Sequence, residues 1–168
     1  LRSLRHQLCT SLNITPSSKK KRIFISRKDA GPRVIHGEDE LFQALQRAHG
    51  FERYRLSELS FSEQLQLFTD AEAVIGAHGA GLTNVLFCQP ETTVIEIFNP
   101  RYGTHAYGLT AQALGLKYSY LCGKPLISGS LEREKHHNPD LGHEDFLVSE
   151  EEHRSIVDHL NTALRKVP

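Results

Sequence analysis

The sequence predicts an α/β protein with a Rossmann-like, doubly wound and mostly parallel six-stranded sheet and helices on both faces. Short apolar runs alternate with amphipathic segments along most of the chain, as expected where each strand is followed by a helix. Several of these runs are almost continuously apolar, which is typical of strands buried on both faces. A glycine-rich turn follows the third run, and ligands of such sheets bind beyond the carboxyl ends of the strands.

The strands are predicted from short apolar runs, beginning with Ile23-Phe24-Ile25. The fourth run contains Glu96 between isoleucines, and a carboxylate there is costly to bury unless it accepts hydrogen bonds. The six predicted strands are residues 22–26, 51–56, 73–75, 93–98, 116–121 and 145–148.

The helices are predicted from apolar residues spaced three and four positions apart and from the residues at their ends. Gly50 and Gly115 suit helix C-termini, and Ser60 or Ser62 suits an N-cap. The predicted helices are 38–49, one opened by the serine cap, one after the glycine turn, 104–114 and 150–165; residues 123–144 are predicted as a long loop.

The chain divides into an entry segment with a linker, residues 1–20, and one domain, residues 21–168. A chain of 168 residues is the size of one ordinary domain. The entry segment is polar and ends in a basic run that we interpret as a solvated linker. Because the chain begins at Leu1 and contains no methionine, we expect it to be an excised piece of a longer protein.

The glycine turn, Gly76-Ala-His-Gly-Ala-Gly81, is the main functional signal. Glycines there allow a sharp turn and close approach of a ligand, and the helix N-terminus that follows favours a phosphate or diphosphate. The turn matches neither G-x-G-x-x-G nor a P-loop, and it could instead just close a strand-helix joint. It also resembles a hydrolase oxyanion loop, but the chain lacks the G-x-S-x-G nucleophile that such an enzyme needs.

Three further side chains are candidates for the same site. Arg27, at the predicted carboxyl end of the first strand, is suited to a bidentate grip on a diphosphate, or it is a solvated loop residue. His78 could meet a phosphate, act as an acid or base near a sugar, or shape the loop. Glu96 could bind ribose hydroxyls, a base, or backbone amides.

Charge, hydropathy and cysteine content exclude several classes. Twenty Lys and Arg balance twenty Asp and Glu, which disfavours nucleic acid as a partner. No apolar stretch approaches the roughly 20 residues of a membrane span. The three cysteines form no C-x-x-C pair, and we expect them to be buried and unpaired.

No metal is expected. The chain has no Asp-x-Asp pair of the kind that holds a divalent cation on a diphosphate. The histidines of the long loop, His136, His137 and His143, do not have the spacing of a helical zinc pair. We interpret them as part of a polar loop.

An ordered set of motifs resembles the family-61 glycosyltransferases. The motifs are Ile23-Phe-Ile-Ser-Arg-Lys-Asp-Ala30, Glu38-Asp-Glu-Leu41, Ile75-Gly-Ala-His-Gly-Ala-Gly-Leu-Thr-Asn84, Leu86-Phe87 and Val94-Ile-Glu-Ile97. The family includes plant xylosyl- and arabinosyltransferases, an animal O-linked N-acetylglucosaminyltransferase and bacterial surface-polysaccharide proteins. The resemblance is strong from about residue 21 to residue 100.

The resemblance implies the C-terminal, donor-binding domain of a GT-B enzyme whose N-terminal domain is missing here. It implies inverting transfer from a nucleotide-sugar, generally UDP-linked, to a glycan or glycoprotein, with a role in surface or capsular polysaccharide synthesis as one possibility. No other cofactor is expected, and the piece alone is expected to be inactive. His78 is the catalytic candidate, and the donor-binding candidates are Ser26, Arg27, His78, Gly79, Ala80, Gly81, Leu82, Thr83, Asn84 and, facing the nucleoside, Glu96.

Two rival hypotheses remain, and the location is open. A non-catalytic nucleotide-binding module would keep the fold and bind UDP. A dinucleotide enzyme of Rossmann type is disfavoured, because no acidic residue lies about 20 positions beyond a G-x-G-x-x-G turn. The cysteine pattern favours a bacterial cytoplasmic location, with the lumen of the Golgi or endoplasmic reticulum as the alternative.

Overall fold

The central sheet has five strands, all parallel to their neighbours, in the order β3-β1-β4-β5-β6. The structure is a computed structural model that describes residues 1–29, 31, 33–126 and 144–164. Its strands are β1 (Lys21–Ile25), β2 (Ile35–His36), β3 (Glu52–Tyr54), β4 (Ala71–Ala77), β5 (Thr93–Phe98), β6 (Lys117–Cys122), β7 (Lys124–Pro125) and β8 (Phe146–Leu147). Its helices are α1 (Arg2–Ser11), α2 (Glu38–His49), α3 (Phe61–Thr69), α4 (Ala106–Leu114) and α5 (Glu150–Ala163), with 3₁₀ helices at Leu56–Glu58 and Ala80–Phe87.

The two faces of the sheet pack into separate cores, because successive strand residues point to opposite faces. In β1, Ile23 and Ile25 join the first core and Phe24 joins the second. The first core contains residues of α3, the 3₁₀ helix after β4 and α4. The second contains residues of α2 and α5. The predicted α/β fold with helices on both faces is confirmed.

The predicted count of six strands in one sheet is wrong. Residues 145–148 contribute β8, which lies in a second, three-stranded sheet of order β2-β8-β7. The amides of Phe146 and Val148 donate to the carbonyls of Val34 and His36, at 3.1 Å each. Pairing with β2 therefore takes β8 away from the edge of the main sheet, while the Phe146 side chain remains fully buried in the second core.

The helix ends follow the predicted signals. Gly50 and Gly115 both adopt the left-handed conformation that ends a helix. Ser60 caps α3 and forms a capping box with Glu63. The segment after the glycine turn differs from the prediction, since it forms a 3₁₀ helix from Ala80 to Phe87.

The entry segment contacts the domain. Leu8 and Cys9 of α1 pack against the first core, and Arg5 donates to the carbonyl of Cys88 at 2.6 Å. The three cysteines are unpaired, but Cys122 is exposed, so the expectation that all three are buried is wrong. Among the described residues, no helix has the length and apolar character needed to cross a membrane.

Candidate functional site

The site lies where β1 and β4 end side by side. If the five strands of the main sheet are numbered in chain order, they lie side by side in the order 2-1-3-4-5. From β1 the chain continues to β3 on one side, and from β4 it continues to β5 on the other. Such a topological switch point leaves a crevice at the carboxyl ends, where doubly wound folds bind ligands. Ile25 is paired with Gly76. The register therefore brings Ser26 and Arg27 next to His78 and Gly79.

The Arg27 side chain packs directly on the backbone of Gly79. A Cβ added to Gly79 would lie 1.9 Å from Nη1 of Arg27 and 2.8 Å from its Cζ. Burial, and secondarily the positive charge of Arg33, lower the pKa of Arg27 from its ordinary value. An arginine nevertheless stays protonated in proteins, so the structure holds a partly desolvated cation against the glycine turn.

The glycines of the turn serve close packing rather than an unusual backbone conformation. None of Gly76, Gly79 and Gly81 has a positive φ in the left-handed region, so the backbone conformation does not itself require glycine at these positions. An added Cβ would come within 3.0 Å of Ile25 at Gly76 and 2.9 Å of Leu56 at Gly81. The space above Gly79 is taken by Arg27 itself, not left open for a ligand.

Glu38 fixes the segment that carries Arg27, a role that the sequence analysis missed. Its buried carboxylate accepts from the Ser26 hydroxyl at 2.6 Å and from the Arg27 amide at 3.4 Å. Arg53 lies 3.8 Å away. Ser26 is buried as well, so in this structure its hydroxyl serves Glu38. The available signal was Glu38 itself, an acidic residue at the start of a helix in a quoted motif.

Glu96 is fully buried and bonded on both oxygens. Nδ1 of His78 lies 2.5 Å from one oxygen, and the Tyr118 hydroxyl donates to the other at 2.6 Å. A carboxylate accepts but does not donate, so Nδ1 carries the proton of this contact, and Nε2 is the ring nitrogen left for another partner. Burial and the bond to Glu96 raise the pKa of Tyr118. Tyr118 was not predicted, and no sequence motif marks it.

Aromatic rings surround the His78 imidazole. It stacks on Phe98 with the centroids 5.4 Å apart and contacts Tyr102 at 4.7 Å and Tyr107 at 5.4 Å. Tyr107 also donates to the carbonyl of Gly79 at 2.8 Å. These contacts hold the imidazole and the turn in one position.

A cavity of about 360 Å³ adjoins this cluster at the ends of β5 and β6. Phe98, Tyr102, Tyr118 and Tyr120 line it, together with residues of the loop before α4. Apolar walls with a few polar groups are typical of small-molecule sites. The cavity therefore offers a place for a flat ring beside His78.

The remaining predicted residues of the turn are oriented differently from one another. The side chain of Leu82 is buried in the first core, and its amide donates to the carbonyl of Gly79. Asn84 donates to Gln64 on α3 at 2.8 Å. The Thr83 hydroxyl is 3.2 Å from that of Tyr107, and Ala80 is exposed at the start of the 3₁₀ helix. The side chains of Leu82 and Asn84 thus face away from the crevice.

Within the described residues, no three His, Cys, Asp or Glu side chains cluster closely enough to hold a metal ion. The predicted polar loop with His136, His137 and His143 lies outside the described residues. The absence of a metal therefore stays a prediction.

Comparison with known proteins identifies the family. The model of the family described as Glycosyltransferase 61 matches residues 1–95, more than half of the chain. The chain belongs to glycosyltransferase family 61. The match includes Arg27, the Glu38 motif and the glycine turn, and it ends just before Glu96, so the resemblance inferred from the motifs is confirmed.

Relatives of this family-61 chain are transferases from animals and plants. It is 33% identical over 148 residues to the EGF domain-specific O-linked N-acetylglucosamine transferase of Mus musculus, covering 84% of the chain and 27% of that protein. It is 38% identical over 63 residues to the β-1,2-xylosyltransferase of Arabidopsis thaliana, covering 38% and 12%. The chain thus spans about a quarter of the mouse protein. These organisms give no support to the favoured bacterial cytoplasmic location.

One solved structure has a similar fold. A point mutant of a flavo di-iron protein from Thermotoga maritima superposes with a TM-score of 0.50 and 15% identity, over 98% of this chain and 40% of that one. At this identity the likeness concerns the fold. It agrees with the 2-1-3-4-5 strand order, which is the flavodoxin-like form of the doubly wound sheet.

Proposed function

We propose that this chain is the nucleotide-sugar-binding part of an inverting GT-B glycosyltransferase with a UDP-linked donor. The observation that carries the proposal is the packing of the Arg27 guanidinium on Gly79 at the switch point of a family-61 chain. The relatives are named for transfer of N-acetylglucosamine and xylose, and sugars of both kinds are carried by UDP. We place the acceptor among glycoproteins, following the mouse relative, and the enzyme in the lumen of the secretory pathway.

The diphosphate would lie across Arg27 and the start of the 3₁₀ helix. A guanidinium binds phosphate oxygens in a bidentate way, and amides at the start of a helix favour an anion. Because the Leu82 amide donates to Gly79, the amides suited to this role are those of Gly79, Ala80 and Gly81. The leaving UDP gains negative charge, and fixed donors stabilise such developing charge. This arrangement needs no metal ion.

The nucleoside would occupy the aromatic cavity. Its volume of about 360 Å³ suits a base, and stacking of a base on an aromatic ring contributes about 1–3 kcal/mol. Glu96 is bonded to His78 and Tyr118, so it would act on the nucleoside through these two side chains. The prediction that Glu96 faces the nucleoside is refined in this proposal to an indirect role.

His78 is suited to proton transfer or to contact with the leaving group. With Nδ1 held by Glu96, Nε2 is the nitrogen that can accept a proton or a hydrogen bond. In an inverting displacement, a base removes the proton of the acceptor hydroxyl while UDP leaves from the opposite side of the sugar carbon. The acceptor pocket, and with it the rest of the machinery, would belong to the N-terminal domain.

Calorimetric titration of the 168-residue chain tests the proposal. UDP, GDP, ADP and NAD are titrated with and without EDTA into the wild type, Arg27→Ala and Arg47→Ala; Arg47 is an exposed arginine near the far end of α2. We expect UDP to bind best, to bind equally in EDTA, and to lose about tenfold or more in affinity in Arg27→Ala but not in Arg47→Ala.

Preference for NAD would instead indicate a dinucleotide enzyme, and the absence of nucleotide binding would contradict the proposal. The chain alone should transfer no sugar from a UDP-sugar. Joined to its N-terminal domain it should do so, and failure there would favour the non-catalytic module.

A further inference from the structure

Arg33 extends from the loop after β1 toward the aromatic cluster. Its guanidinium carbon lies 5.8 Å from the centroid of the Tyr102 ring, and Tyr102 packs on His78 at 4.7 Å. A cation above an aromatic face is held there by the ring quadrupole. Arg33 therefore reaches across the crevice to the side opposite β1, although it was not among the predicted site residues.

The backbone of Arg33 is in a conformation that residues with a Cβ rarely adopt. Its φ is 67°, in the left-handed region, which costs a non-glycine residue free energy. Asn13 and Glu91 also have a left-handed φ, so the conformation of Arg33 supports a functional role only together with the contact between its side chain and Tyr102.

The charge of Arg33 acts on that of Arg27, and Arg33 also carries a buried donor without a partner among the described residues. The Arg33 charge acts on Arg27 strongly enough to help lower its pKa, with partial compensation by Asp29. Nε of Arg33 is buried and has no hydrogen-bond partner within the described part of the chain. Buried donors without partners are rare, and an anion is the kind of ligand that this donor can bind. An anion between the two guanidiniums would relieve the repulsion and accept from Nε.

We propose that Arg33 is the second arm of a two-arginine clamp, and that it binds the diphosphate from the Tyr102 side while Arg27 binds it from the Gly79 side. Identification of the anion as a nucleotide diphosphate rests on the proposed function, whereas the anion site itself rests on Arg27, Arg33 and Tyr102. A clamp with two planar forks would distinguish a diphosphate from a single phosphate, because it offers donors on two sides.

The test compares inorganic pyrophosphate, inorganic phosphate, UDP and uridine in titrations of the 168-residue chain. The variants are Arg33→Ala, Arg33→Lys, Arg27→Ala and the double variant, with Arg47→Ala as control. Alanine keeps the Cβ and therefore the strained backbone conformation, so Arg33→Ala removes only the side chain beyond the Cβ, including the guanidinium. Thermal unfolding of each variant checks that it is folded.

We expect Arg33→Ala to weaken pyrophosphate and UDP by about tenfold or more and uridine not at all, with lysine restoring part of the loss. The double variant should lose less than the product of the two single losses, because both arms hold one ligand. In the wild type, addition of pyrophosphate should shift the Arg33 Nε–H signal in NMR spectra. Unchanged pyrophosphate affinity in Arg33→Ala, or equal losses for uridine, would overturn the clamp.

The outcome separates the clamp from the proposed function. If Arg27→Ala loses UDP and Arg33→Ala keeps it, the clamp is wrong and the donor site stands. If pyrophosphate binds through Arg33 but UDP binds no better than pyrophosphate, the anion site stands and the UDP donor is wrong. If neither ligand binds the wild type, both proposals fail.

Discussion

Two buried carboxylates, Glu38 and Glu96, support opposite sides of the crevice in different ways. Glu38 holds the segment after β1: it accepts from the Ser26 hydroxyl and from the Arg27 amide, and the Arg53 guanidinium lies nearby. Glu96 orders side chains, with His78 on one oxygen and Tyr118 on the other. A guanidinium keeps its charge at all ordinary pH values, whereas an imidazole nitrogen and a phenol can each take part in proton transfer.

The different partners of the two carboxylates indicate that Glu38 positions the segment that carries Arg27, whereas Glu96 lies beside groups that can transfer protons. Around Glu38 the partner charge is that of Arg53, which stays protonated, and the carboxylate holds the segment that carries Arg27. Around Glu96 both partners carry transferable protons, and this side adjoins the aromatic cavity. Substitutions at the two carboxylates should therefore have different consequences for stability and for binding.

The largest expected effect is that of Glu96→Ala. It leaves a buried imidazole and a half-buried phenol without their acceptor, and stranding such groups costs about 3 kcal/mol in the free energy of unfolding. The chain contains no tryptophan, so urea unfolding followed by far-UV circular dichroism is the suitable measurement. Glu96→Gln keeps a carbonyl acceptor and should recover part of the loss.

Glu72→Ala is the matched control. Glu72 also lies on a strand of the main sheet, but it is paired with Arg22 at a half-exposed position, where an ion pair contributes about 1 kcal/mol or less. If the two alanine variants are destabilised equally, Glu96 has no special structural role.

Glu38→Ala should have a smaller effect on stability and a larger one on binding. The variant loses the Ser26 and Arg27 contacts and an acidic group in the first turn of α2, a loss of about 2 kcal/mol. Arg53 is not stranded, since it also bonds Asp39 at 2.6 Å. With the segment after β1 released, UDP affinity in calorimetry should fall by about tenfold, and by more than in Glu96→Gln.

Asp39→Ala tests the specificity of that result. Asp39 is an exposed carboxylate of the same helical turn, and its bonds go to Lys28 and Arg53 rather than to Ser26. We expect a loss of less than about 1 kcal/mol and unchanged UDP affinity. Equal weakening of UDP by both substitutions would show that the charge of the turn, rather than the Glu38 contacts, is responsible.

Much of the fold could be predicted because its signals are local. Residues 38–49 and 93–98 form an element at the predicted bounds, since an apolar pattern and a terminal glycine are read within a few residues. That Arg27 and the glycine turn share one edge of the sheet also followed from the sequence, because parallel strands place their carboxyl ends at one edge. Their contact depends in addition on β1 and β4 being neighbours, which the sequence analysis did not predict.

The roles of Tyr118 and Glu38 could not be predicted, because they depend on register and on long-range packing. Tyr118 is paired with Val94 across β5 and β6, so its hydroxyl meets Glu96 diagonally; a shift of one residue would turn the ring to the other face. The displacement of β8 into a second sheet depends likewise on pairing with β2, which lies far earlier in the chain.

The smallest expected effect is that of Tyr118→Phe, which removes only the hydrogen bond from the Tyr118 hydroxyl to Glu96. The ring stays and one hydrogen bond to a carboxylate is lost, so the free energy of unfolding should fall by about 1.5 kcal/mol at neutral pH. Tyr120→Phe is the control: its ring lines the same cavity but is largely exposed, and we expect almost no change.

The pH dependence of the free energy of unfolding provides a second test of the hydrogen bond between Tyr118 and Glu96. Burial and the bond to Glu96 raise the pKa of Tyr118 in the folded chain, so the unfolded chain releases this proton first as the pH rises. The contribution of Tyr118 is therefore complete below the unfolded phenol pKa of about 10 and decreases above it. In urea titrations the difference between the wild type and Tyr118→Phe should narrow above that pH, while a constant difference would mean that the phenol is not held by Glu96.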